Sequence, residues 1–409
     1  MAVDQLQDVS SAIELNDKDA VLRDVRAYRL ARVQQQLLAH KVPAILLYDP
    51  VNIRYATDTS NMQVWAGRNP ARYVMVFATG RIVAWEFHSS AHVWDGLNLD
   101  VELRGAVSWT YFNAGPNAEQ RVETWSAEIV DVFRKHAPGE RFLAVDRLDP
   151  FGTAYLEKHG LTLTDGQELM ETARLIKSSG ELVLIGESLR TAEKGIERMR
   201  RELRPGLTEN DIWANLHDEN IRNGGEWIET RLLASGDRTN PWMHECSSRV
   251  LQAGDLLAFD TDMVGPNGYC SDISRTWLVG DGRPSDEQRK LYEYAYAQVH
   301  FNMDLLRPGM TFREFAEKAW KIPDPFVKNR YCCLAHGIGM VDEYPAIAHQ
   351  VDWESSGYDG QFEVGMTVCV ESYIGAEGGS QGVKLEQQVV LTEHGCVSLT
   401  DCSFETDWL

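Results

Sequence analysis

Apolar positions recur at helical spacing from Val21 to His40, in VLRDVRAYRLARVQQQLLAH, then give way to a short apolar strand in VPAILLYDP. ARYVMVFATGRIVAWEF reads as a hairpin, two β-rich runs joined at Ala78-Thr79-Gly80. RFLAVDRLDP is a further strand and GTAYLEKHG a further helix. Residues 21–173 therefore predict an α/β domain behind a polar arm over residues 1–20. The pattern breaks at RLIKSSGE, residues 174–181. Beyond it, ELVLIGESLRTAEKGIERMRREL predicts a long helix that stops at Pro205-Gly206. In LTENDIWANLHDENIRNGG, Thr208 is a good N-cap, Asp211 stands three places on, and Gly224-Gly225 is the stop. The remainder of a second domain, residues 174–409, is strand-rich: LLAFDTDMV, ISRTWLV, TVCVESYI and LEQQVVLT. Two helical segments interrupt it, SDEQRKLYEYAYAQVHFNMDLL and TFREFAEKAW.

Composition narrows this picture. A chain of 409 residues, 44% hydrophobic, is long enough for two domains with their own cores. A formal charge of −21 and the lack of any basic stripe exclude a nucleic-acid partner. The first residues, MAVDQLQDVSSAIELNDKD, are acidic and polar, unlike a signal peptide, and no run reaches the roughly 18 apolar residues of a membrane helix. A cytoplasmic protein without a membrane partner is expected. The seven cysteines form no CxxC pair, so they read as reduced structural thiols, with Cys332 and Cys333 as buried small residues.

The chemistry starts at FDTDMVGPNGYCSD, residues 259–272. In a strand, positions i and i+2 share a face, so Asp260 and Asp262 are expected to project together from an apolar run. Two buried carboxylates repel unless one takes a proton or a cation lies between them. Asp272 lies past the turn Gly265-Pro266-Asn267-Gly268 and can return beside them from a paired strand. FEVGMTVCVESYIG puts Glu371 in another apolar strand, GVKLEQQVVLT puts Glu386 in a third, and LAHGIGM puts His336 before two glycines that allow close backbone approach. Five carboxylates and one imidazole form an oxygen-dominated set that suits two divalent ions of the manganese, iron, cobalt or zinc type.

In this order, and with GDLLAFD, GYCSDISRTW, AHGIGM, VGMTVCVES and GVKLEQQVVLTEHG around them, these residues resemble the pita-bread metallopeptidases. That group holds methionine aminopeptidase, prolidase, aminopeptidase P and the creatinase relatives. RLIKSSGE is similar to the linker that opens their catalytic domain, and NIRYATD to their creatinase-type N-terminal domain. The resemblance implies an α/β (α+β) chain: a creatinase-like N-terminal domain, then a catalytic domain built on a curved antiparallel sheet. It also implies a homodimer.

Two departures from the peptidase pattern bear on the reaction. The two metal aspartates, Asp260 and Asp272, stand twelve apart, one more than the family's usual spacing, and the extra length brings Asp262. Where the peptidases carry a further catalytic histidine in a His-Glu-x-Pro stretch, this chain runs HGIGMVDEYP, with Asp342 before Glu343. A histidine there can donate hydrogen bonds to a tetrahedral intermediate. An ionised carboxylate can only accept a proton, which argues for proton abstraction over amide hydrolysis.

Both departures resemble the DddP-type dimethylsulfoniopropionate lyases, a marine bacterial branch of the fold that forms acrylate and dimethyl sulfide. The similarity implies Asp260, Asp262, Asp272, His336, Glu371 and Glu386 as ligands of a two-metal site. Iron is the expected metal, with zinc, manganese and cobalt as alternatives, and Asp342 is the expected base. A sulfonium has no hydrogen-bond donors, so aromatic faces are expected to hold it. Tyr331 and Trp242 are the candidates, with Trp65 or Trp85 from the N-terminal domain, and His244 is placed much as the peptidases place a substrate-facing histidine. A hydrolase of the same fold, Xaa-Pro peptidase or creatinase-type, is the competing reading, and a non-catalytic binding protein the third.

Overall fold

The computed structural model describes residues 18–409, so most of the polar arm expected over residues 1–20 lies outside the described residues. The chain divides into two compact units, with the break between Arg174 and Leu175.

The first unit opens with a helix, Lys18–Ala39, that buries Val25, Arg29, Val33 and Leu37 at intervals of four. Its sheet holds β1 (Ala44–Leu47), β2 (Tyr73–Phe77), β3 (Ile82–Glu86), β4 (Val101–Gly105), β5 (Phe142–Val145) and β6 (Thr162–Asp165), in the order β4-β3-β2-β1-β5-β6. The expected hairpin is present: β2 and β3 pair antiparallel from Tyr73 opposite Trp85 to Val76 opposite Ile82. Gly80 in the turn takes φ +94°, a conformation that suits glycine. The outer strands β4 and β6 pair in parallel with β3 and β5. Tyr48, Tyr73, Trp85, Trp109 and Trp125 fill the core, with the Tyr73 and Trp85 rings stacked at 5.1 Å. Trp85 is fully buried there and is a core residue, a correction to its reading as a substrate aromatic. Trp65 is half-buried, edge-on to Phe87.

The second unit begins with the helix Ser179–Glu202, closed at its start by a reciprocal capping box between Ser178 and Glu181. The helix Glu209–Arg222 carries the expected box between Thr208 and Asp211. Eleven strands follow: β7 (Trp227–Ile228), β8 (Leu233–Ser235), β9 (Leu256–Asp260), β10 (Met263–Val264), β11 (Cys270–Ser271), β12 (Ser274–Leu278), β13 (Ala335–Ile338), β14 (Asp342–Ile347), β15 (Thr367–Gly375), β16 (Gly382–Thr392) and β17 (Gly395–Ser398). They form three sheets, β11-β10-β7, β12-β9-β8 and the antiparallel β14-β13-β15-β16-β17. The two long strands β15 and β16 are buried along their whole length. Ile374, Val383 and Leu385 pack with Leu291, Tyr292 and Val299 of the helix Asp286–Leu305, and Ser372 hydrogen-bonds Gln298 of that helix. The alternate positions Cys369, Glu371, Lys384, Glu386 and Gln388 therefore point the other way, toward the remaining strands.

Candidate metal centre

One expectation about the first acidic pair fails. Strand β9 ends at Asp260, and Asp262 has φ +37°, so the two do not share one face of a continuous strand. The chain leaves the β9–β12 sheet at Thr261, whose hydroxyl donates to the Ser271 carbonyl (2.8 Å), and restarts as β10 in the neighbouring sheet. A short aspartate tolerates this left-handed backbone better than a branched residue would. The carboxylates still converge, through the corner: Asp262 N–H donates to Asp272 Oδ1 at 3.3 Å, and ligand atoms of Asp260, Asp262 and Asp272 lie within 4.8 Å of one another.

The other half of the site comes from the antiparallel sheet. Glu371 on β15 stands directly opposite Glu386 on β16, a like-charged cross-strand pair that is unfavourable unless compensated. Gly337 and Gly339 let the β13 segment close on β14: a Cβ at Gly337 would meet the Tyr344 carbonyl, and one at Gly339 the Glu343 carboxylate. A bulge between His336 and Gly337 sets the imidazole toward the acids. His336 Nδ1 lies 3.0 Å from the Gly337 carbonyl, which favours a proton on Nδ1 and turns Nε2 to the cluster. Nε2 is 3.4 Å from Glu371 Oε1, 3.6 Å from Glu386 Oε1 and 3.8 Å from Asp272 Oδ2. All six residues expected as ligands are thus brought together.

Lys384 and Cys369, with Ser274 beside the lysine, complete the cluster and were not singled out by the sequence pattern. Lys384 is wholly buried, with Nζ at 2.6 Å from Glu371 Oε2, 3.0 Å from Asp260 Oδ2, 3.3 Å from Glu386 Oε2 and 2.7 Å from Ser274 Oγ. Ser274 Oγ also lies 2.6 Å from Asp260 Oδ1 and 2.8 Å from Glu386 Oε2, and its single proton serves one of them at a time. Cys369 Sγ joins Asp272, His336 and Glu386 in a second ligand-competent group. Both were detectable by the period of two, since Cys369 precedes Glu371 and Lys384 precedes Glu386 by two strand positions. Among the other cysteines, Cys332 is exposed, which corrects its reading as a buried residue, and all seven are free thiols.

The charges do not balance within the protein. Five carboxylates face one lysine and one imidazole. Burial and mutual repulsion push Asp260 and Glu371 up to about 7 and Asp262 up to about 8, and raise Asp272 as well. Glu386 is the exception: Lys384 and His336 hold it low against its burial. Glu371 Oε1 and Glu386 Oε1, the oxygens nearest His336 Nε2, are buried and accept no hydrogen bond from the described residues. Against its burial, the facing acids raise the His336 imidazole and keep a proton on it; a divalent cation bound beside Glu371 Oε1 and Glu386 Oε1 would displace that proton and take Nε2 as a ligand.

Asp342 opens β14 at the edge of this cluster, its side chain 59% exposed and Oδ1 3.7 Å from His336 Nδ1. Partial desolvation raises its carboxyl, His336 opposing and Glu386 and Glu343 adding to the shift. Glu343 faces away into a buried pair with Lys177 (2.6 Å). The half-buried Tyr331 ring lies 4.3 Å from Lys384 Nζ and packs at the edge of a cluster with Trp242 and Tyr373. Trp242 is 7% exposed, with its indole N–H unmet by the protein. His244 is half-buried and makes no polar contact with these groups.

The model of metallopeptidase family M24 matches residues 184–393. Dimethylsulfoniopropionate lyase DddP of Roseobacter denitrificans is 39% identical over 94% of this chain and 87% of its own length. The protein of the same name from Roseovarius nubinhibens is 38% identical over the same shares. Among solved structures, the Xaa-Pro dipeptidase from Bacillus anthracis superposes with a TM-score of 0.73 over 92% of this chain and 98% of that one, at 21% identity, a likeness of fold.

Proposed function

We propose, from the premise that the chain belongs to metallopeptidase family M24 and to its dimethylsulfoniopropionate lyase DddP branch, that it uses the peptidase fold for elimination. The substrate is dimethylsulfoniopropionate and the products are acrylate, dimethyl sulfide and a proton. The observation that carries this reading is the carboxylate of Asp342, raised and half open to solvent, at the edge of a buried acidic cluster where a hydrolase of the fold would need a hydrogen-bond donor.

Asp260, Asp262, Asp272, His336, Glu371 and Glu386 would hold two divalent ions, iron being the expected metal. Bound there, such ions supply Lewis-acid polarisation of the substrate carboxylate. Asp342 takes the proton from the carbon next to that carboxylate. The C–H electron pair becomes the new C=C bond, the Cβ–S bond breaks, and its pair leaves on neutral dimethyl sulfide. A base so placed contributes roughly 10²–10⁴-fold. Lys384 and Ser274 keep Asp260, Glu371 and Glu386 apart and oriented. The acidic wall suits a sulfonium, which offers positive charge and no donors; one face of Tyr331 lies against the Lys384 ammonium, so the opposite face is the one left for the sulfonium, with Trp242 in the adjoining cluster.

The test is stoichiometry. Metal-loaded protein given the sulfonium should release dimethyl sulfide into the headspace and acrylate into solution one for one. Acrylate absent, with 3-hydroxypropionate in its place, would mean displacement by water and would overturn the elimination.

A further inference from the structure

A second cavity, of about 230 Å³, opens in the second unit beside the helix Phe312–Lys318, and none of its lining residues belongs to the metal cluster. Ala316, Ala319, Trp320, Ile322, Leu334 and Val351 give it apolar walls. One buried polar group faces this lining, the imidazole of His349, which is 6% exposed. Backbone of Tyr331 and Cys333 offers acceptors to the ring. Among the described residues, Nε2 meets no protein group. Burial, and then Arg330, push the imidazole down to about 4, so it is neutral, and its Nε2 can accept or donate one hydrogen bond according to the tautomer. The charges around the cavity cancel. Arg330 is held by Asp352 (Nε to Oδ2, 2.8 Å) and donates to the Val327 carbonyl, while Lys321 and Asp324 stand exposed at the rim with opposite signs.

We propose that this cavity binds a small neutral molecule of the phenol or alcohol class, its hydroxyl hydrogen-bonded to His349 Nε2 and its apolar body lying against Trp320, Leu334 and Val351. The chemistry selects this class step by step. An unmet ring nitrogen calls for a hydrogen-bonding partner, because leaving a buried polar atom unpaired is costly, and a hydroxyl can serve either tautomer. A locally neutral lining gives no advantage to a charged ligand. The size also fits, since a cavity of roughly 150 Å³ holds a benzene ring and this one is larger. The site is distinct from the sulfonium site, although the same imidazole serves the segment that carries Tyr331.

The experiment is calorimetric titration of the metal-loaded full chain with phenol and, separately, with toluene, which keeps the ring and lacks the donor. Phenol is expected to bind about tenfold more tightly than toluene, the worth of one hydrogen bond to an otherwise unmet group. His349→Phe should erase that preference while keeping the apolar walls. Ala319→Phe, which fills the cavity, should abolish binding of both. Equal affinities for phenol and toluene would overturn the role of His349. Phenol binding that survives Ala319→Phe would place it elsewhere, and no binding of either compound would leave a pocket served by water alone; either result contradicts the proposal.

Discussion

Each unit of this chain buries carboxylates, and the two treat them differently. In the first unit Glu86 is 5% exposed and both of its oxygens are taken, by Arg72 (2.7 and 3.2 Å) and by the indole of Trp94 (2.8 Å). Asp146 accepts from Tyr48 N–H, Asp49 N–H and the Asn52 amide. In the second unit Glu371 and Glu386 share one lysine, face each other across two strands, and each leave an oxygen without a donor. Burial of an acid is common to both centres. What marks a site is the open acceptor, because a closed acid already has its counter-charge or donors and an open one awaits a ligand.

Removing the ligand should separate the two centres most sharply. Treatment with a strong chelator is expected to reduce sulfide release at least about 10³-fold, with recovery on adding back a divalent transition metal. Activity that persists in protein shown metal-free by plasma mass spectrometry would break the comparison. Asp342→Asn comes next: kcat should fall about 10²–10⁴-fold with metal content unchanged. In the unmodified protein, the proposed role of Asp342 as a carboxylate base predicts that kcat/KM rises with pH through its raised pKa.

The closed centre answers to stability. Arg72→Met strands Glu86 and should cost about 3–5 kcal/mol, read as a lower midpoint in urea, with metal content intact. A variant that instead loses its metal would deny the separation of roles. Asp146 shows its effect as a pH dependence of stability. Burial, against the hydrogen bonds it accepts, pushes it up to about 7, above the roughly 3.9 of an unfolded aspartate. The folded state then binds the extra proton, so this contribution is full below about pH 4 and is lost as pH rises toward 7. The slope is at most about 1.4 kcal/mol per pH unit, and Asp146→Asn should flatten it in denaturant titrations at successive pH values.

Much of this was legible in the chain, for reasons that particular residues make plain. Glu371 and Glu386 stand out because an acid inside a strand apolar on both sides needs a partner, and Gly337 and Gly339 announce a tight approach that the backbone confirms. Asp262 was placed in the right company by the wrong geometry. Strand periodicity cannot reveal that hydrogen bonding passes to another sheet at Thr261, because the partners that decide it lie on other strands, Ser274 opposite Asp260 and Ser271 opposite Met263. Lys384 was hidden by its type: a lysine in a strand suggests an exposed edge until the facing acids are located. The strands VELRG and TLTD were not read because each is half polar and owes its place to a neighbouring strand.

The central claim is that an acid-rich cluster with Asp342 at its edge turns a peptidase fold to elimination. Metal-loaded protein assayed side by side on dimethylsulfoniopropionate and on the dipeptide Gly-Pro tests it most directly. The account predicts dimethyl sulfide in the headspace and no free proline. Proline release without sulfide would contradict it.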